Sequence, residues 1–241
     1  KRHRGWMAIW LMDDPLIIWK SRPQLHQLLT TYSIFDMVAV FDSYFIDGLR
    51  SHGIADCVHL PLAYDNAVFR PETAEERYAV SFVGENSPHR EGVLTGLAGV
   101  PLHVWGGTFA VAGSRICHPR ITPGEACAVY QSTAVCLNIS DPQSIRGNNT
   151  RVYEVCGSGG FLLTDYRSEL AEQFRIGAEI EVYSSRDKLR EKVMYFLDHP
   201  ATRRQIAAAG AARAARDHTY CCRMNDLLAH LTGGRTLLTS R

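Results

Sequence analysis

The stretch NNTRVYEVCGSGGFLLTD, residues 148–165, runs from a polar loop through a short helical turn and a glycine cluster into an apolar strand ending on an acid. That order is one helix-to-strand step of a parallel α/β sheet. The cluster CGSGG lies where the helix stops and the strand begins, so its glycines are expected to cap the helix and supply a tight turn. It is not a phosphate loop. Neither a GxxxxGK[ST] run nor a GxGxxG run opening a helix is present, which disfavours P-loop and nicotinamide-dependent chemistry.

Working outward, the same alternation recurs on both sides. Upstream lie the strands VSFVG (80–84), LHVWGG (102–107) and AVCLNIS (134–140), with helices expected over 88–98 and near 123–132. Downstream, a helix over 167–174 leads to the strand EIEVY (179–183), and everything from Asp187 onward reads as helical. This block predicts a complete α/β domain of about five parallel strands. The polar, proline-bearing segment NAVFRPETAEERYA (66–79) reads as a linker. Before it, WMAIWLMDD, RPQLHQLLTTY, FDMVAVFD, SYFIDGLRSHG and CVHLPLAYD give strand, helix, strand, helix, strand, with Gly53 as a helix stop. That is half of a doubly wound sheet. The division expected is a partial α/β domain over 1–72 and a full one over 73–241, with an N-terminal portion of the first missing.

The 241 residues are 46% hydrophobic, with 26 Lys and Arg against 25 Asp and Glu. Such a balance argues against a nucleic-acid or membrane-surface protein. No apolar run is long enough for a membrane span. The opening KRHRGWMAIWLM has a basic start and an apolar stretch, but it breaks at Asp13 and Asp14 with no small-residue cleavage site. Seven cysteines without CxxC or zinc-type spacing read as reduced thiols, so a cytoplasmic location is expected. The glycosylation sequons at Asn138 and Asn148 carry no meaning in that compartment.

Arg151 and Glu154 admit two readings. They form a local helical pair worth a few tenths of a kcal/mol, or they serve a ligand. In the second, Arg151 and the helix start hold a diphosphate while Glu154 accepts two hydrogen bonds from ribose hydroxyls. With Thr150 as the helix cap, Glu154 comes one residue late for a capping box. Gly84 either allows close backbone approach or is simply a turn, Arg90 either reaches a diphosphate or is an exposed helix-start arginine, His118 in the loop RICHPRIT either lies near a base or is surface, and Asn149 joins them as a donor-binding candidate. Asp13 and Asp14, at the end of the first strand, are candidates for the general base that deprotonates an acceptor hydroxyl. They form no DxD metal motif. Arg203, Arg204, Arg213 and Arg216 read as a solvated helical face.

From Trp6 to about Leu231 the chain resembles the CgeB-like, spore-maturation-protein-type glycosyltransferases of the GT-B superfamily, which have two facing Rossmann-like domains. The carriers are WLMDDP, LPLAYDNAVFRP, VSFVGENSPHRE, AVCLNI, GNNTRVYEVCGSGGFLLTD, GAEIEVYSSRDKLREKVMYFLDHP and HTYCCRMNDLL. The resemblance implies a hexosyltransferase whose C-terminal domain holds a UDP- or GDP-linked sugar and whose N-terminal domain contacts an unknown acceptor. It implies a diphosphate held by cationic side chains and helix dipoles, with no metal and no cofactor beyond the donor. Related retaining enzymes carry two glutamates eight positions apart. Glu154 matches the second, and Arg146 stands at the first, leaving the stereochemical course open. The alternatives are a nucleotide-sugar epimerase or hydrolase of the same architecture and a non-catalytic nucleotide- or partner-binding module.

Overall fold

The computed structural model describes residues 5–14, 16, 25–107, 109 and 115–233. The start of the expected helix at 22–24 and the basic tetrapeptide at 1–4 therefore lie outside the described residues. Two compact units are present. The first takes Lys1–Leu62, Gln143–Asn148 and Tyr220–Arg241, and the second takes Ala63–Pro142 and Asn149–Thr219.

In the first unit, β1 (Ala8–Leu11), β2 (Met37–Val40) and β3 (Cys57–His59) form a parallel sheet in that order, joined through α1 (Leu25–Tyr32) and α2 (Phe45–Ser51). All four residues of β2 are buried, as a central strand covered on both faces requires. Gly53 does stop α2, at φ 87°. The acids Asp13 and Asp14 follow β1 instead of ending it.

Asp42, wholly buried just past β2, explains why a distant loop belongs to this unit. Its Oδ2 accepts the backbone N–H groups of Ile145 and Arg146 at 2.8 and 2.9 Å. Gly147 sits so close that a Cβ there would come within 2.9 Å of the Phe41 carbonyl oxygen. The last helix, Tyr220–Leu231, is anchored by Arg223, whose Nε donates to the Pro61 carbonyl at 2.8 Å, and by an edge-on contact of Tyr220 with Trp10.

The second unit is a parallel sheet of six strands in the order β6-β5-β4-β7-β8-β9. These are β4 (Tyr78–Val83), β5 (Leu102–Trp105), β6 (Arg115–His118), β7 (Thr133–Asn138), β8 (Leu162–Asp165) and β9 (Glu181–Tyr183). The helices are α3 (Pro88–Leu94), α4 (Pro123–Gln131), α5 (Thr150–Gly157), α6 (Leu170–Gln173), α7 (Arg186–Asp198) and α8 (Pro200–Asp217). The sixth strand, β6, is the one not expected. RICH is short and half polar, and an edge strand pairs on one side only, so it needs no apolar run. It is pinned by Arg115, whose buried guanidinium pairs with Glu91 of α3.

The boundary falls at 62/63, not at 72/73, because Tyr64 bridges to Thr219 and its N–H donates to the His218 carbonyl at 3.2 Å. The polar segment 66–79 is thus part of the second unit. One core includes Phe82, Val104, Leu137, Leu163, Val193 and Phe196, with Ile206 and Ala207 of α8. Gly157 of α5 faces the Tyr64 ring, and Gly210 of α8 lies against the Glu179 carbonyl. The cluster after α5 behaves as expected, with Gly159 at φ 79° and the Gly160 N–H closing onto the Val155 carbonyl.

From β4 the chain moves to β5 on one side, and from β7 it moves to β8 on the other. The crevice at the carboxyl ends of β4 and β7 is therefore the switch point at which doubly wound sheets bind ligands.

Candidate functional site

Arg151 is the second residue of α5 and reaches back over that crevice. Its Nη1 donates to the Asn138 side-chain oxygen at 2.8 Å, and Asn138 Nδ2 donates to Thr164 Oγ1 at 3.0 Å. Asn138 is 0% exposed, so the arginine is held by a buried, satisfied amide on β7 braced against β8. The guanidinium lies over the Phe82 ring at 5.1 Å.

Gly84, just past β4, makes room for it. A Cβ there would come within 3.0 Å of both Arg151 Cζ and Phe82 Cζ, and closer still to Arg151 Nη2. Among the described residues Arg151 and Glu154 form no ion pair, the guanidinium being turned to Asn138, although the Arg151 charge still acts on Glu154.

Arg90, on α3, approaches the same Phe82 ring at 5.8 Å. It is 8% exposed, with Nε on the Ile139 carbonyl at 3.1 Å and Nη1 on the Glu85 carbonyl at 3.0 Å. Burial, and then the charge of Arg151, pull its pKa below the ordinary arginine value, against the opposing charges of Asp141, Asp165 and Glu85. A buried and a half-buried cation flanking one ring repel each other, and their combined field favours a polyanion. The Arg151 Nε is buried without a partner.

Asn149, and not Thr150, is the N-cap of α5, but its side chain makes no capping bond. Both its amide oxygen and its amide nitrogen are buried and unpartnered, a condition that costs stability unless something supplies the bonds. Glu154 is half-buried one turn further on. Burial raises its pKa above the usual carboxylate range, and the Arg151 charge and a Thr150 hydroxyl bond oppose that rise.

His118 is not a loop residue. It ends the edge strand β6, stacks on Trp105 at 4.3 Å, and places Nε2 at 2.9 Å from His103 Nδ1. Burial lowers the pKa of both histidines, with a further contribution from His118 acting on His103. Asp13, Asp14 and Arg146 belong to the first unit. Asp13 is exposed and accepts from Gln143 Nε2 at 3.1 Å, whereas Asp14 is wholly buried and accepts from the Leu16 N–H at 2.9 Å. Arg146 is exposed, with its guanidinium over the Tyr44 ring at 5.8 Å. Of the basic helical face, Arg203 departs from expectation, being 4% exposed and paired with Glu76.

The structure thus gathers Gly84, Arg90 and Arg151 around Phe82, with Asn149 and Glu154 on the helix that carries Arg151. His118 lies two strands away. Asn138, Thr164 and Phe82 were not anticipated, although an asparagine closing the otherwise apolar AVCLN strand was a signal.

Among the described residues, no helix is long and apolar enough to cross a membrane. No curated protein matches the chain. Among solved structures it is similar to the sucrose-phosphate synthase of Thermosynechococcus elongatus, with a TM-score of 0.71 and 13% identity over 96% of this chain and 69% of that one. It is similar to Anabaena HepE, solved with UDP and glucose, with a TM-score of 0.74 and 11% identity over 95% of this chain and 72% of that one. A third is TarM, with a TM-score of 0.69 and 6% identity over 95% of this chain and 51% of that one. At these identities the likeness establishes the fold, which is that of the GT-B glycosyltransferases. The family described as glycosyl transferase-like matches residues 90–229, more than half of the chain. The chain belongs to the glycosyl transferase-like family.

Proposed function

We propose that this protein is a CgeB-like glycosyltransferase that moves a hexose from a nucleotide diphosphate, UDP- or GDP-linked, to an acceptor hydroxyl. The observation that carries this reading is Arg151, held by buried Asn138 against a glycine and set beside the buried Arg90 at the switch point of the sheet. A diphosphate is the ligand that such a pair suits. As the bond between the anomeric carbon and the diphosphate oxygen breaks, negative charge grows on that oxygen. Arg90, Arg151 and the first turn of α5 stabilise it, which is the largest single contribution of the site to the rate.

Glu154 takes the ribose hydroxyls, Asn149 supplies its unpartnered amide, Gly84 lets the diphosphate approach the backbone, and His118 stands toward the base. The acceptor oxygen bonds to the anomeric carbon, and its proton goes to Asp13, the exposed member of the acid pair. The UDP and UDP-glucose bound in Anabaena HepE support a uridine donor as the first to test.

The test is calorimetric titration of UDP-, GDP- and dTDP-sugars into the wild type and Glu154→Ala, followed by assay of nucleotide release. Donor binding that is lost in Glu154→Ala, with slow nucleotide release by the wild type, is the expected result. A donor that binds and stays intact would make the chain a binding module, and no binding of any donor would remove the proposal.

A further inference from the structure

Beside the arginine pair, the second unit holds a cavity of about 370 Å³ at the carboxyl ends of β8 and β9, with a wall from α3. Its charged lining is three basic side chains, His89, Arg167 and Arg186, and one acid, Asp165. The acid is already engaged. Its Oδ1 accepts the Ser140 N–H at 2.9 Å, and its Oδ2 pairs with Arg167 Nη2 at 3.1 Å.

The cations are not balanced. Arg167 Nε is buried with no hydrogen-bond partner. Arg186 is exposed and makes no hydrogen bond or ion pair among the described residues, and its side chain runs along α3. It opens α7, whose cap Ser185 accepts the Lys188 N–H at 3.2 Å. Its side chain lies in a slot made by two glycines one turn apart. A Cβ at Gly92 would come 3.0 Å from Arg186 Nη2, and one at Gly96 would come 3.3 Å from Arg186 Cβ.

A guanidinium in a cavity wall with no counter-charge, beside a second with an unmet donor, favours an anion with several acceptor oxygens. The volume lies in the range of small-molecule pockets, and the exposed Tyr166 ring flanks it with an apolar face. We infer that this cavity binds a phosphate monoester of sugar size, distinct from the donor diphosphate, with Arg186 and Arg167 Nε as the phosphate ligands and His89 as a third donor. The phosphate belongs either to the acceptor or to a free effector.

The inference stands apart from the donor reading, and so does its test. Glucose 6-phosphate, inorganic phosphate and glucose are titrated calorimetrically into the full chain, with and without saturating UDP. Glucose 6-phosphate binds under both conditions, inorganic phosphate binds more weakly, and neutral glucose does not bind. Arg186→Gln, a substitution at an exposed position, weakens glucose 6-phosphate by at least about tenfold, the loss of one charge-assisted contact. Arg186→Lys restores part of that loss, and UDP affinity stays unchanged in both variants. Arg151→Gln leaves glucose 6-phosphate affinity unchanged.

Mass spectrometry after incubation with a donor sugar separates the two sources. A glycosylated hexose phosphate makes it the acceptor, and an unmodified one that alters the rate makes it an effector. The inference is overturned if glucose 6-phosphate fails to bind, if Arg186→Gln binds it as the wild type does, or if UDP displaces it.

Discussion

Gly84→Ala tests how the arginine cradle is built. The added Cβ enters the space of the Arg151 guanidinium, which lies at 3.0 Å from the ideal Cβ position by its Cζ, with the Phe82 ring at the same distance behind it. The ring is fixed in the core at 0% exposure, so the flexible arginine tip moves. Moving it breaks the 2.8 Å bond to Asn138 and the 5.1 Å stacking on Phe82.

A hydrogen bond to a charged group contributes about 1.5–3 kcal/mol. The displaced guanidinium regains part of that from water, so a stability loss of about 1–2 kcal/mol is expected. Donor affinity suffers more, because the cation leaves the diphosphate. One charge-assisted contact of about 1.5–3 kcal/mol corresponds to about a 10- to 100-fold rise in Kd.

The assay is thermal unfolding together with calorimetric titration of UDP. Gly124→Ala, in the first turn of α4 with no atom within 4 Å of an added Cβ, is the control. It leaves Kd unchanged and stability the same or slightly higher. If Gly84→Ala binds UDP with wild-type affinity, the reasoning that Arg151 is positioned by that glycine is refuted.

Four further predictions concern Glu154, the histidine pair and α8. Donor affinity for UDP-glucose, whose diphosphate has no secondary ionisation, falls on acidification through the raised Glu154 pKa. Glu154→Gln binds more weakly with a flat profile, and a wild-type profile equally flat counts against the ribose role. In the unliganded protein the same raised pKa means that the folded state binds more protons. The Glu154 contribution to stability therefore falls as pH rises from about 4.3 through the folded value, and a stability difference between wild type and Glu154→Gln with no such slope would be contrary.

The histidine pair has the opposite sign. His103 and His118 are depressed in the fold, so their contribution is complete above about pH 6.5 and is lost as pH falls through the folded values. His118→Gln should flatten the acid limb of a stability–pH curve, and an unaltered limb would show the pair to be inert. Gly210→Ala overlaps the Glu179 carbonyl oxygen and costs about 1–3 kcal/mol by overpacking. Urea denaturation with an unchanged midpoint would contradict the close approach of α8.

Much of the architecture was written in the hydrophobic pattern, because strands buried on both faces must be nearly continuous apolar runs. VSFVG, AVCLN and FLLTD are such runs, and each became a strand. RICH was illegible for the converse reason, since an edge strand carries half the burial. The unit boundary was hidden because the polar segment 66–79 belongs to the second unit although its composition is that of a linker. The capture of Gln143–Asn148 by the first unit depends on Asp42, about a hundred residues away in sequence. At the site, charge and helix position exposed Arg151 and Glu154. Asn138 stayed hidden because a buried amide announces itself only through its partners.

The central claim is that the arginine pair and Glu154 hold a nucleotide diphosphate. A crystal structure of the protein soaked with UDP tests it most directly. The two phosphates are expected between Arg90 and Arg151 over Gly84, with the ribose hydroxyls on the Glu154 carboxylate. A nucleotide seated elsewhere, or a ribose turned away from Glu154 with Arg151 still locked on Asn138 alone, would contradict it.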